Sequence, residues 1–150
     1  MLQSIFQISG VYVNFHLIAW NNDLVLIDGG FLGDFEKLEK QLEQINKSFS
    51  DISLIIMTHG HLDHTLNIAR IKQLSGAQVA GHSKEKKHIA GNYPYTGISR
   101  ICGMLEACGR FLFAYRPFEL DFEFADNQLL DHQEHQDDAI AMLHLSPRVV

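Results

Sequence analysis

The chain of 150 residues is 46% hydrophobic and 20% charged, with a mean hydropathy of -0.05, the balance of a globular domain rather than a disordered or fibrous chain. Its 12 Lys+Arg against 18 Asp+Glu give a net charge of -6, which argues against a general binder of nucleic acid or anionic membrane. No apolar run approaches the ~20 residues of a membrane span. Met1-Leu2-Gln3-Ser4 lacks the basic start of a secretory leader, and two cysteines, Cys102 and Cys108, make no disulfide scaffold. The expectation is one cytoplasmic domain.

Residues 2–20 read as two apolar strands broken near Ser9-Gly10, followed by a turn at Asn21-Asn22-Asp23 and a short buried strand, Leu24 to Ile27. After Asp28-Gly29-Gly30, Asp34 is placed to cap a helix in which Phe35, Leu38, Leu42 and Ile45 recur at helical spacing. That helix should end by about Lys47. Ile52 to Met57 is a second buried-strand pattern, a helix fits residues 66–75 closed by Gly76, and Ala77 to Ala80 reads as a strand. Lys84 to His88 is helical in composition, Asn92 to Tyr95 is a turn, and Ile98, Ile101, Leu105 and Cys108 mark the apolar stripe of another helix. Phe111 to Phe118 is too aromatic to assign. Phe118 to Phe124 and Ala139 to Leu145 are strand candidates, with a turn at Asp126-Asn127 between them. Alternation of strand and helix makes the class α/β.

Nine histidines stand out, because three of them fall within six residues: His59, His61 and His64, with Asp63 between the last two. They follow the Ile52 to Met57 strand directly. On an extended or tightly turned backbone, residues two apart point the same way, so His59 and His61 can offer imidazoles to one ion. Asp63 and His64, after the turn, face a second position. Imidazoles with one carboxylate suit zinc, and iron and manganese remain alternatives. Up to two divalent ions are therefore expected. Such an ion lowers the pKa of water towards ~7 and polarises a carbonyl or phosphoryl group, which is the equipment of a hydrolase.

Leu26-Ile27-Asp28-Gly29-Gly30, then Ile55-Ile56-Met57-Thr58-His59-Gly60-His61-Leu62-Asp63-His64-Thr65, and more loosely Val79-Ala80-Gly81-His82 with Glu85 and Gly91, resemble the metallo-β-lactamase fold superfamily of metal-dependent hydrolases. The resemblance implies an αββα sandwich with metals at one edge. It implies a first metal on His59 and His61, a second on Asp63 and His64, and support of the site by Asp28. It also implies metal-bound hydroxide attacking an ester, thioester, lactone, amide or phosphodiester of a small-molecule substrate. Family members supply a third histidine in a P-G-H-T-like turn, then a bridging aspartate and a final histidine. Here Ala139 to Pro147 resembles the strand before that turn, but Pro147 is followed by Arg148-Val149-Val150. The ending looks like a shortened or frameshifted reading frame with an incomplete C-terminal half. The alternative reading is accordingly a truncated, non-catalytic remnant or a metal-binding protein without turnover.

The remaining histidines have plainer readings. His82 and His88 are taken as exposed helix residues, His16 as a core or interface residue on an apolar strand, and His132 and His135 as part of a solvated acidic loop, although they lie about where a third ligand would be counted.

Overall fold

The computed structural model describes residues 2–20, 23–91 and 100–125. Among these residues six strands form one sheet in chain order. The first three, β1 (Leu2–Ser9), β2 (Asn14–Trp20) and β3 (Asp23–Ile27), make an antiparallel meander. From β3 the sheet turns parallel through β4 (Ile52–Met57), β5 (Gln78–His82) and β6 (Phe122–Phe124). Parallel pairing needs long crossovers, and helices supply them: α1 (Asp34–Gln44) between β3 and β4, α2 (Leu62–Thr65) and α3 (Ile68–Ser75) between β4 and β5, then α4 (Lys86–Ile89) and α5 (Arg100–Leu112) before β6.

Strand side chains alternate between two faces. Leu24, Leu26, Ile55, Met57 and Val79 meet Phe35, Leu38, Leu42, Ile68 and Ile71 from the helices in the main core. The other face carries Val25, Leu54 and Ala80, ringed by half-buried Ile18, Trp20, Ile56, Phe122 and Phe124. That second face is an apolar surface of the kind another layer covers in a sandwich. Register Leu26↔Ile55↔Val79 keeps the helix-side residues aligned across three strands. At the sheet edge, Asp121 Oδ2 accepts the Val79 N–H at 2.7 Å and Lys72 Nζ at 2.6 Å, which holds the start of β6. Among the described residues no helix is long and apolar enough to cross a membrane.

Several expectations need correction. Asp34 is not the cap of α1 but its first residue; Gly33 precedes it with φ 74°. The Asp34 carboxylate is fully buried and accepts the Phe31 N–H and Lys37 Nζ, both at 2.9 Å, so it secures the approach to the helix rather than capping it. Leu62 to Thr65, read only as a turn after the strand, is one helical turn, because the His61 carbonyl accepts both the Thr65 N–H (3.1 Å) and the Thr65 hydroxyl (2.9 Å). The supposed apolar stripe of α5 faces outward: Ile101 is 56% and Leu105 64% exposed, and Cys108 is exposed too. Buried instead are Gly103 and Arg110, so the inner face carries a polar contact as well as the packing of Leu62 on Gly109. His82 and His88 are half-buried rather than exposed. The turns at 21–22, 92–95 and 126–127, His132, His135 and the 139–145 strand lie outside the described residues.

Leu38 is fully buried between α1 and the sheet, whereas Leu74 on α3 is 51% exposed. Leu38→Ala is expected to cost about 2–5 kcal/mol through lost transfer energy and the residual cavity, and Leu74→Ala about 0.5 kcal/mol or less. Urea unfolding midpoints check the contrast; equal losses would show that this face of the sheet is not the core.

Candidate metal centre

The carboxyl ends of β3 and β4 lie side by side, and each feeds a chemistry-bearing segment. Beyond Ile27 comes Asp28, and beyond Met57 come Thr58 and His59. Asp28 has φ 63°, a backbone region that non-glycine residues seldom occupy. Its N–H donates to the Ile56 carbonyl at 2.9 Å, and the next amide, that of Gly29, donates to the His64 carbonyl at 2.7 Å. Gly29 also has to be small, since a Cβ there would lie 2.7 Å from Ile68 Cγ1 and 3.0 Å from the Ile68 nitrogen. The unusual turn thus aims the Asp28 side chain at the histidine motif.

That carboxylate is buried and fully engaged. Oδ1 accepts the Thr58 N–H at 2.8 Å, while Oδ2 accepts the Thr58 hydroxyl at 2.7 Å and His64 Nδ1 at 2.8 Å. An ionised carboxylate only accepts, so His64 carries its proton on Nδ1. Thr58 has one hydroxyl proton and gives it to Asp28, so the 3.0 Å contact between Thr58 Oγ1 and His59 Nδ1 is a bond donated by His59. Both imidazoles are left with their Nε2 lone pairs available as ligands.

The site residues expected from sequence converge in part. The His59 and His64 rings have centroids 3.9 Å apart, and His59 and His61 4.9 Å apart. His59, Asp63 and His64 each offer one ligand atom within 4.8 Å of the other two. His61 stands beside this trio and outside it, with its ring 5.8 Å from that of His88. By distance the tightest ligand set is His59, Asp63 and His64, with His61 adjoining it. Two further groups were missed. Arg110 and Glu106 of α5 reach the motif backbone, as Arg110 Nη2 donates to the Gly60 carbonyl (2.8 Å) and Glu106 Oε1 accepts the Leu62 N–H (3.2 Å). Their i,i+4 spacing in an otherwise apolar segment is the signal that could have found them.

Burial, followed by the nearby His64 and His61, holds the His59 imidazole below its ordinary pKa of 6.5. His64 moves the other way, carried above 6.5 chiefly by its hydrogen bond to Asp28, against a smaller effect of burial. A ligand imidazole must be neutral, and the setting of His59 favours that form outright. Below its raised pKa, His64 must give up a proton from Nε2 before that nitrogen can take a metal.

Comparison with known proteins fits this geometry. The family model of the metallo-beta-lactamase superfamily matches residues 8–148, and the chain belongs to that superfamily. It is 27% identical over 79 residues to the hydroxyacylglutathione hydrolase GloC of Haemophilus influenzae, covering 51% of this chain and 35% of that protein. It is 36% identical over 80 residues to a Methanocaldococcus jannaschii protein named "Probable metallo-hydrolase", covering 53% and 37%. A subclass B3 metallo-beta-lactamase of Bradyrhizobium japonicum superposes with TM-score 0.61 at 23% identity over 80% of this chain and 42% of its own, which bears on fold alone. The stretch shared with the two curated relatives is thus little more than a third of their length.

The opposed shifts give the metal-free protein a pH signature. His59, with its pKa depressed in the folded state, contributes stability that is present above 6.5 and lost as pH falls towards its folded value. His64, with its pKa raised, contributes stability present below 6.5 and lost as pH rises through its folded value. Asp28→Asn is expected to flatten the alkaline limb of stability against pH, and His59→Asn the acid limb. Denaturant titrations across the range, with chelator present, check this; an Asp28→Asn profile parallel to wild type would refute the hydrogen-bond origin of the His64 shift.

Proposed function

We propose that this chain provides a divalent-metal site of a metal-dependent hydrolase, with His59, Asp63 and His64 as ligands, His61 as an adjoining ligand, and Asp28 as the residue that fixes the ligand tautomers. The observation that carries the reading is the convergence of three ligand atoms within 4.8 Å on imidazoles whose Nδ1 protons are already committed to Asp28 and Thr58. Two imidazoles and a carboxylate are a ligand set used by hydrolytic zinc centres, which keep three protein ligands and one open position. Zinc is the first choice; iron and manganese accept the same donors.

A divalent cation supplies Lewis-acid polarisation of the attacked group and a lowered pKa for water. The chain's own residues do the rest. Asp28 holds the His64 ring through Nδ1 and, through Thr58, the His59 ring as well. The Asp63 side chain is 41% exposed against 17% for His64, so the cluster opens to solvent on the Asp63 side, where a substrate can approach. Ester, thioester, lactone, amide and phosphodiester bonds all suit such a centre. An acylglutathione, the class for which the H. influenzae relative is named, is the first substrate to try.

His59→Ala and His64→Ala are each expected to lower zinc content after dialysis at least tenfold, since part of the binding free energy goes with each ligand. His82→Ala is expected to leave it unchanged, because His82 Nδ1 accepts the Lys84 N–H and its ring packs 5.9 Å from Phe124. Elemental analysis of the three variants against wild type decides. Equal retention in all of them would sink the ligand assignment.

A further inference from the structure

Gly60, between the two histidines of the H-x-H segment, is held at both poles of its main chain by residues from outside the motif. Its N–H donates to Glu85 Oε2 at 2.8 Å, and its carbonyl accepts Arg110 Nη2 at 2.8 Å. We propose that Glu85 and Arg110 act as a clamp that sets the orientation of the H-x-H backbone, and through it the angle at which His59 and His61 present their rings to a metal. This rests on the metal reading given above.

The two ends of the clamp come from different elements. Glu85 closes the 3-10 turn Ser83–Glu85 after β5, and Arg110 lies in the last turn of α5. Arg110 is 8% exposed, and a guanidinium is costly to bury unless its charge and donors are met. Here Nη1 donates to the Ile89 carbonyl (3.1 Å), Nη2 to the Gly60 carbonyl and Glu106 Oε1 (3.3 Å), and its face lies 4.0 Å over the Tyr115 ring. The fork therefore ties α4, the motif loop and α5 together, and a single ammonium cannot span both carbonyls in the same way. The outward turn of α5 supports this reading. That helix exposes Ile101, Met104, Leu105, Phe111 and Leu112 and presents Arg110 and Glu106 inward beside the close approach of Gly109 to Leu62, so the polar contacts to residues 60–62 join a small apolar contact in orienting it. Gly60 admits no side chain, as a Cβ would sit 2.6 Å from His88 Cβ and 3.2 Å from Glu85 Oε2. The peptide is boxed in on the side that the clamp occupies.

The test uses the full chain with Zn²⁺ and Co²⁺ as probes. Four variants, Arg110→Met, Arg110→Lys, Glu85→Ala and Glu85→Gln, are compared for zinc affinity by chelator competition, for the cobalt d–d absorption spectrum, and for urea midpoint without metal. Residues that orient ligands typically change affinity by about 10–100-fold. Arg110→Met and Glu85→Ala are expected to weaken zinc binding about tenfold or more and to alter the cobalt spectrum. Glu85→Gln, which still has a carbonyl oxygen for the Gly60 N–H, should restore both, and Arg110→Lys only in part. Glu85→Ala carries the test alone if Arg110→Met does not fold. Wild-type affinity and an unaltered cobalt spectrum in the clamp variants, with only the urea midpoint lowered, would overturn the proposal while leaving the metal reading intact. Failure of the wild type to bind either ion would overturn both.

Discussion

One buried carboxylate organises the site. Asp28 takes three hydrogen bonds, from the Thr58 amide, the Thr58 hydroxyl and His64 Nδ1, and each does separate work. The amide bond joins the loops that leave two neighbouring parallel strands. The hydroxyl bond determines which way the Thr58 proton points, and so which nitrogen of His59 carries hydrogen. The imidazole bond does the same for His64 directly. A backbone φ of 63° at a non-glycine residue costs on the order of 1–3 kcal/mol, and these bonds, with the Asp28 and Gly29 amides tied to Ile56 and His64, are what hold it there.

The sheet explains why this residue can do so. β3 and β4 are parallel and adjacent, with Ile27 opposite Ile56, so their ends bring Asp28 and Thr58 to the same edge although 30 residues separate them in sequence. Ligands in open parallel sheets gather at the carboxyl ends of the strands for this geometric reason. The short turn α2 then brings Asp63 and His64 back over that edge, while the isolated bridge between Gly30 and Thr65 runs the post-Asp28 loop alongside.

Much of this was legible in the sequence because the signals were local. The Ile52 to Met57 run appears as a strand with those very bounds, the α3 helix ends at Gly76 in the left-handed conformation, and His59, Asp63 and His64, close in sequence, bring their donor atoms within 4.8 Å of one another. Reading failed where a polar residue acts at long range. Ile101, Leu105 and Cys108 share a helical stripe, and a stripe normally faces the core; yet the buried contact belongs to Arg110, whose partners are 21 and 50 residues away. Asp34 has the identity of an N-cap, and its burial against Phe31 and Lys37 depends on a loop path that no pattern within α1 encodes. The contact of His64 with Asp28 has the same origin: a period of two relates His59 to His61, but the helical turn from Leu62, set by the His61 carbonyl and Thr65, swings His64 towards Asp28.

Protein contacts contribute much of the order in the donor set. A metal site assembled only by its ion would show imidazoles of unfixed tautomer on a loop without anchors. Here the loop between the two histidines is bonded at Gly60 on both sides, the Leu62 amide is met by Glu106, and two rings have their Nδ1 protons assigned by Asp28 and Thr58. Each of these contacts removes freedom that a ligand side chain would otherwise lose on binding metal, and fixing donors beforehand is how a protein raises affinity without adding ligands. The same contacts bring charge close to the site, as Arg110 is buried beside the Gly60 carbonyl. Its positive charge is balanced by Glu106 at 3.3 Å, so the contact holds the loop without placing an uncompensated cation beside the histidine cluster.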